Sequence, residues 1–172
     1  MTHTTGFVLA ASLLASGCGL TPSEAAQDGS MAKKDQPIVI INEVAFPICP
    51  AFAPDRSLTV FDAQSWQAHT KVAVVQPNKL NNWNPDLSLS TLLRYADGHK
   101  PSAGYRVKLD GTIRNVDSVL TIPVRLIAPK PDMVAAAVLT SPCLYLQVTG
   151  RGYSGVSVVN TETGEVLKNL AL

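Results

Sequence analysis

The sequence has almost no excess of charge of either sign. Its 172 residues carry 14 Lys and Arg against 13 Asp and Glu, a formal net charge of +1. A chain without a basic field does not concentrate on nucleic-acid phosphates, so we expect no nucleic-acid binding. Charged residues make up only 16% of the chain and hydrophobic residues 46%. That balance argues against a disordered chain and a coiled coil, and the length suits one domain with its own core.

The sequence also lacks the short motifs of familiar enzymes. It has no G-x-S-x-G, no H-E-x-x-H and no phosphate-binding loop. Gly150, Gly152 and Gly155 fit the dinucleotide pattern G-x-G-x-x-G, but the residues that follow are typical of a strand, and the pattern requires a helix. They predict a turn between two strands. His69 and His99 lie thirty residues apart, and no cysteines have zinc-site spacing. We therefore predict no enzyme, metal or cofactor.

Long apolar runs are missing as well, and the N-terminal run is short. Residues 7–14 read FVLAASLL, too short for a membrane span of about twenty residues and typical of a secretory leader. Small residues then precede Cys18, which resembles a bacterial lipobox. We predict a lipoprotein signal peptide over residues 1–17 and lipidation of Cys18. A core helix that happens to contain a cysteine is the alternative, and the leader lacks the Lys or Arg that usually precedes the apolar run.

A lipidated Cys18 would anchor the domain to a membrane without spanning it. Gly19 follows, and the absence of Asp at that position favours the outer membrane of a two-membrane cell. Residues 18–36 are polar and rich in small residues, which predicts a flexible tether. We expect residues 37–172 to form a single β-rich domain. In an oxidising compartment Cys49 and Cys143 are left as an even pair, which predicts a disulfide; two separately buried thiols are the alternative.

Alternation of apolar and polar residues predicts the strands of the C-terminal half. The inward positions of the three runs are Tyr105, Val107 and Leu109, then Leu120, Ile122, Val124 and Leu126, and finally Leu144, Leu146 and Val148. Pro123 predicts an edge strand or a bulge, because proline has no N–H to give to a ladder. Tyr145 and Gln147 are expected on an outer face. Residues 160–164, NTETG, predict a hairpin connection near the C-terminus.

The N-terminal half of the domain gives weaker signals. Residues 38–45 predict a strand with little exposure on either face, and residues 57–61 and 71–75 are also β-prone. Residues 62–69 predict two helical turns, with Asp62 or Ser65 as the N-cap. Short strands with frequent turn signals predict a mainly β fold, an antiparallel sandwich or open barrel with one or two short helices.

Two short motifs suggest a family. Residues 100–107 read KPSAGYRV and residues 140–144 read TSPCL. Together with the alternating region, over residues 87–149, they resemble the C-terminal domain of the protease-complex subunit PrcB family. Cys143 stands where the family usually has an aromatic residue, and the chain from Gly152 onward extends past the family's usual end. The resemblance implies a lipid-anchored subunit whose partner is an exported protease.

We therefore predict a non-enzymatic, membrane-anchored lipoprotein that binds another exported protein and stabilises or tethers it. Lys100, Pro101, Tyr105 and Trp83 are the candidate binding residues. In KPSAGY, Pro101 would fix a turn and Tyr105 would place its ring in the core with its hydroxyl at the rim.

Trp83 lies in an Asn-rich stretch, where an aromatic ring is either a plug over the core or a contact surface. The alternative function is a carbohydrate- or envelope-binding module in which Trp66, Trp83 and Tyr95 stack on the ligand.

Overall fold

The computed structural model describes residues 37–51, 53–72, 80, 83–132 and 134–172. The predicted signal peptide, Cys18 and the tether lie outside the described residues, so lipidation stays a prediction. Within the described part of the chain, no helix is long and apolar enough to cross a membrane.

Nine strands and one helix follow one another along the described chain. They are β1 (Ile40–Phe46), β2 (Arg56–Phe61), α1 (Ala63–Val72), β3 (Ser90–Asp97), β4 (Arg106–Leu109), β5 (Arg114–Val116), β6 (Val119–Ile127), β7 (Cys143–Thr149), β8 (Gly155–Asn160) and β9 (Val166–Ala171). The first sheet has the order β1-β7-β3-β2. The second has the order β4-β6-β8-β9, with β5 also paired to β6. All pairs are antiparallel except β6 with β8. The predicted mainly β sandwich is confirmed.

The main core lies between the two sheets. Leu93 and Tyr95 on β3 and Leu144 on β7 point from the first sheet toward the second. They pack in one core with Ile122 and Val158 of the second sheet, and all five side chains are buried. These positions alternate along their strands, because successive side chains leave a strand on opposite faces. The inward sets predicted for β6 and β7 are confirmed.

A second core covers the outer face of the first sheet, and it corrects one prediction. Tyr145 and Gln147 were expected on an exposed face, yet both are buried. Phe61, at the end of β2, and Trp66, on α1, pack over this face with Tyr145. Because a helix lies over it, β7 is buried on both sides, as its neighbour β3 is. The alternation identified the inner face correctly but carried no information about the layer outside.

The first strand is more exposed than predicted. Val39, Ile40 and Ile41 are 54%, 38% and 46% exposed, whereas little exposure was expected on either face. These side chains are exposed because β1 is an edge strand, which pairs only with β7 among the described strands.

Pro123 lies within β6, which has neighbours on both sides, so the prediction of an edge strand is wrong. β4 pairs with residues 124–127 and β5 with residues 119–121, and Pro123 falls between the two pairings. Its carbonyl accepts a hydrogen bond from the Asp110 N–H at 3.0 Å. The backbone N and carbonyl O of one strand residue point to the same side of the strand. The nitrogen of Pro123 therefore also points toward the β4–β5 connection, and the hydrogen bonds between β6 and β8 do not require an N–H from this residue.

The helix is confirmed, but it runs farther than predicted. Asp62 accepts from the Ser65 backbone N–H at 2.7 Å, and the Ser65 hydroxyl accepts from the Asp62 N–H at 2.9 Å, a reciprocal capping arrangement. Residues 71 and 72, predicted as strand, are the last of α1; residues 73–75 lie outside the described part.

Candidate functional site

The two motifs at residues 100–107 and 140–144 lie side by side. The backbone N–H groups of Lys100 and Thr140 each donate to the other residue's carbonyl, at 2.8 and 3.0 Å. The Thr140 hydroxyl donates to the Ser102 carbonyl at 3.0 Å, and the Asp97 N–H donates to the Pro142 carbonyl at 2.9 Å. The motifs are therefore two halves of one structural unit, which fastens the start of β7 to the turn after β3.

A buried carboxylate lies beneath this unit. The side chain of Asp97 is only 3% exposed, and it contacts Arg56 Nε at 2.9 Å and Lys100 Nζ at 2.8 Å. The Tyr95 hydroxyl donates to it at 3.0 Å. Burial and the Asp97 charge raise the pKa of Tyr95, so that hydroxyl keeps its proton. Lys100, predicted as a binding residue, is thus also a partner of a buried acid.

Tyr105 does not occupy the place predicted for it, whereas Pro101 lies in a turn as predicted. Tyr105 was expected in the core, but its ring is half-buried at the surface, 5.9 Å from the Lys100 ammonium, a cation–π contact. Tyr105 lies just before β4, which begins at Arg106, because the chain is still in a turn at Gly104, where φ is +100°. Pro101 is exposed in this turn. A Cβ at position 104 would lie only 3.0 Å from the Cβ of Pro129. Glycine is therefore favoured here for two reasons, the positive φ and the lack of space for a side chain.

An exposed apolar surface borders the same turn. Between β6 and β7, Val134 is fully exposed, and Val138 and Leu139 are 49% and 54% exposed. We call these three residues and the groove beside them the loop surface. The groove is about 400 Å³ and is lined by Ala103, Gly104, Arg106, Ile127, Ala128, Pro129, Lys130 and Val134 to Ala136. The Ala103 N–H donates to the Ala136 carbonyl at 2.9 Å, so backbone bonding ties this loop to the KPSAGY turn.

The predicted disulfide between Cys49 and Cys143 is present. The two Cα atoms are 5.3 Å apart and both residues are buried. The bridge joins the segment after β1 to the first residue of β7, where the Cys49 N–H also donates to the Ser141 carbonyl at 2.7 Å. Both cysteines thereby take part in the second core.

A histidine and a tyrosine share a hydrogen bond next to this bridge. His69 Nε2 and the Tyr145 hydroxyl are 2.7 Å apart. Burial, and then the positive charge of Arg94, lower the pKa of His69 to about 4. Burial raises the pKa of Tyr145 to about 12. Both groups are therefore neutral at pH 7. The sequence predicted helical turns ending at His69 but gave this histidine no partner, because nothing in the local pattern showed that the helix would bring it onto β7.

The three aromatic residues proposed as a stacking surface do not form one. Trp66 is 5% exposed and Tyr95 is 1% exposed, and they belong to different cores on opposite faces of the first sheet. Trp83 is half-buried and packs against the second core. Its ring therefore covers part of the second core, as the plug alternative predicted, and the rest of the ring stays exposed beside a surface cavity. Trp83 packs against the second core, whereas Lys100 contacts Asp97, whose partner Tyr95 belongs to the first core.

No group of three or more His, Cys, Asp or Glu side chains within the described ranges could hold a metal ion. The described residues form a mainly β domain of two sheets with a hydrogen-bonded turn, a buried acid and an apolar loop. The model of the family described as PrcB C-terminal matches residues 93–149, which confirms the resemblance. The match covers 57 of the chain's 172 residues and contains both motifs and the loop surface. No curated protein and no solved structure matches this chain.

Proposed function

We propose that this chain is a non-enzymatic, lipid-anchored accessory subunit of the cell envelope that binds and stabilises an exported protease. Three features support the proposal: the lipobox at Cys18, the family match over residues 93–149 and the loop surface. The anchor would hold the domain at a membrane by its lipid chains, at the outer membrane where the cell has two.

The loop surface is the observation that carries the protein-binding role. Val134, Val138 and Leu139 are exposed large apolar side chains of one short loop beside a groove, and exposed apolar surface of this kind is typical of interaction sites. Val134 is fully exposed although the loop is tied down by the hydrogen bond from Ala103 to Ala136. The backbone hydrogen bonds at Ala136 and Thr140 restrain this loop, which reduces the conformational entropy that it loses when a partner binds.

The charges around the groove indicate what kind of partner surface it fits. Arg106 and Lys130 both line the groove, and Asp132 of the same loop is not among its lining residues. We therefore expect a partner that inserts an apolar side chain flanked by carboxylates, because complementary charge favours encounter and correct register. A surface of this kind on an exported protease is the proposed ligand.

The test is affinity purification of the full-length protein from detergent-solubilised envelope, with partners identified by mass spectrometry. We expect a protease, and we expect Val134→Asp to abolish its recovery. Val116→Asp is the matched control, because Val116 is 54% exposed on β5, away from the groove. The purified protease should then bind the purified subunit, and its level in cells should fall when the subunit is deleted.

Two results would contradict the proposal. If the wild type recovers no protease, a protease is not the partner. If Val134→Asp and Val116→Asp lose binding equally, the loop surface is not the binding site.

A further inference from the structure

A second surface site lies over the outer core, on the far side of the first sheet from the sandwich core. It is a shallow cavity of about 360 Å³ between the helix α1 and the segment that carries Trp83. Its lining residues are Trp66, Gln67, Thr70, Lys71, Trp83 and Asn84. None of them belongs to the loop surface, so this site can be considered independently of the proposed function.

The indole of Trp83 is the ring that this site presents. Its centroid lies 6.1 Å from that of Trp66, at 49° between the planes, and Trp66 is itself packed edge-on against Phe61 at 5.4 Å. Trp83 Nε1 lies 3.2 Å from the side-chain amide of Asn42 on β1. The ring is thus supported from behind and held at its edge, while part of it stays open to the cavity.

Polar side chains surround this ring. Gln67 and Lys71 are both exposed and stand four residues apart on α1, so they lie on one face of the helix. Thr70 stands between them, its hydroxyl bonded to the Gln67 carbonyl at 3.1 Å. Asn84 is exposed on the opposite rim. Each amide offers a donor and an acceptor, and Lys71 adds a positive charge.

We propose that this cavity binds a short saccharide that carries a carboxylate. A sugar ring has one face of C–H groups, which stacks on an indole, and a rim of hydroxyl groups, which pair with side-chain amides. Of the six lining residues that the structure describes, four are polar, which does not suit an apolar ligand. A proline-rich peptide requires an aromatic-lined groove, and among the described lining residues only Trp83 offers a partly exposed ring. Lys71 gives the preference for a carboxylate.

The chain's two tryptophans allow a direct test, because the indole N–H region of a two-dimensional NMR spectrum should hold two peaks. The full-length protein in detergent is titrated with the disaccharide of N-acetylglucosamine and N-acetylmuramic acid. Diacetylchitobiose, which lacks the carboxylate, is the matched ligand, and Trp83→Phe assigns the peaks. We expect the Trp83 peak to shift and saturate, with weaker binding of the neutral disaccharide.

Exposed residues provide variants that keep the fold. Gln67→Ala and Asn84→Ala should each weaken binding about tenfold, the loss expected when one or two hydrogen bonds disappear. Lys71→Ala should remove the difference between the two disaccharides. Val166→Ala, which shortens an exposed apolar side chain on β9, should leave binding unchanged.

The proposal is overturned if neither indole peak moves with either disaccharide, or if a proline-rich peptide moves the Trp83 peak and the sugars do not. Equal binding of the two disaccharides by the wild type would refute the preference for a carboxylate.

Discussion

Reduction of the Cys49–Cys143 disulfide should remove a large part of the domain's stability. The bridge joins residues 94 positions apart, and a loop of that length restricts the unfolded chain by about 4.7 kcal/mol at 25 °C in the chain-entropy model. The total free energy of unfolding of a domain is usually about 5 to 15 kcal/mol. Dividing the lost free energy by a urea m-value of about 2 kcal/mol/M gives a urea midpoint that is lower by about 2 M after reduction.

Tryptophan fluorescence reports this unfolding well. Trp66 is 5% exposed and packs against Tyr145 with ring centroids 6.4 Å apart, and the Tyr145 hydroxyl lies 3.9 Å from Cys49 Sγ. The assay is urea unfolding of the Cys18→Ser protein, without and with reductant. This background removes the third cysteine, so the untreated sample should contain no titratable thiol and the reduced sample two.

A variant with Cys49→Ala and Cys143→Ala should behave like the reduced protein and should not respond to reductant. Two titratable thiols in the untreated sample, or an unchanged urea midpoint after reduction, would refute the reasoning.

The remaining predictions concern the buried acid, the buried histidine and the turn. Asp97→Asn should cost about 2 to 4 kcal/mol in thermal unfolding, because it leaves two cations beside a neutral amide; a loss no larger than that of Lys100→Ala would contradict this. Because the pKa of His69 is lowered to about 4 in the folded protein, the unfolded chain takes the proton first. Stability should fall as pH drops from about 6.5 to 4, by about 1 to 2 kcal/mol after allowance for solvent screening. His69→Gln should flatten that part of the profile, and an unchanged slope would contradict the assignment. Gly104→Ala should cost about 1 to 3 kcal/mol, measured by urea unfolding, because φ is positive and Pro129 is in the way; Gly164→Ala, also at positive φ but with open space around it, should cost less.

Local patterns predicted those parts of the fold that depend on a strand's own two faces. The alternation at Leu120, Ile122 and Val124 identified β6 and its inner face. The same logic failed for Tyr145, because its exposure is decided by a helix seventy or more residues earlier in the chain. The position of Pro123 in an inner strand was equally unpredictable, since it depends on a gap between two separate partners of β6.

The candidate site was predictable in part. The residues of KPSAGY and TSPC were found as motifs, but their mutual pairing is a long-range contact. Asp97 was not among the predicted site residues, because a sequence does not show that Arg56 and Lys100 converge on one carboxylate. The loop surface was missed because an apolar loop and a buried segment have the same composition.

Site-specific photo-crosslinking from position 134 in living cells tests the central claim most directly. A photoreactive residue replaces Val134, which is fully exposed, and an equivalent at position 116 serves as the control. The account predicts a single major crosslinked product from position 134, identified by mass spectrometry as this chain joined to an exported protease, and none from position 116. No crosslink from position 134, or the same products from both positions, would contradict it.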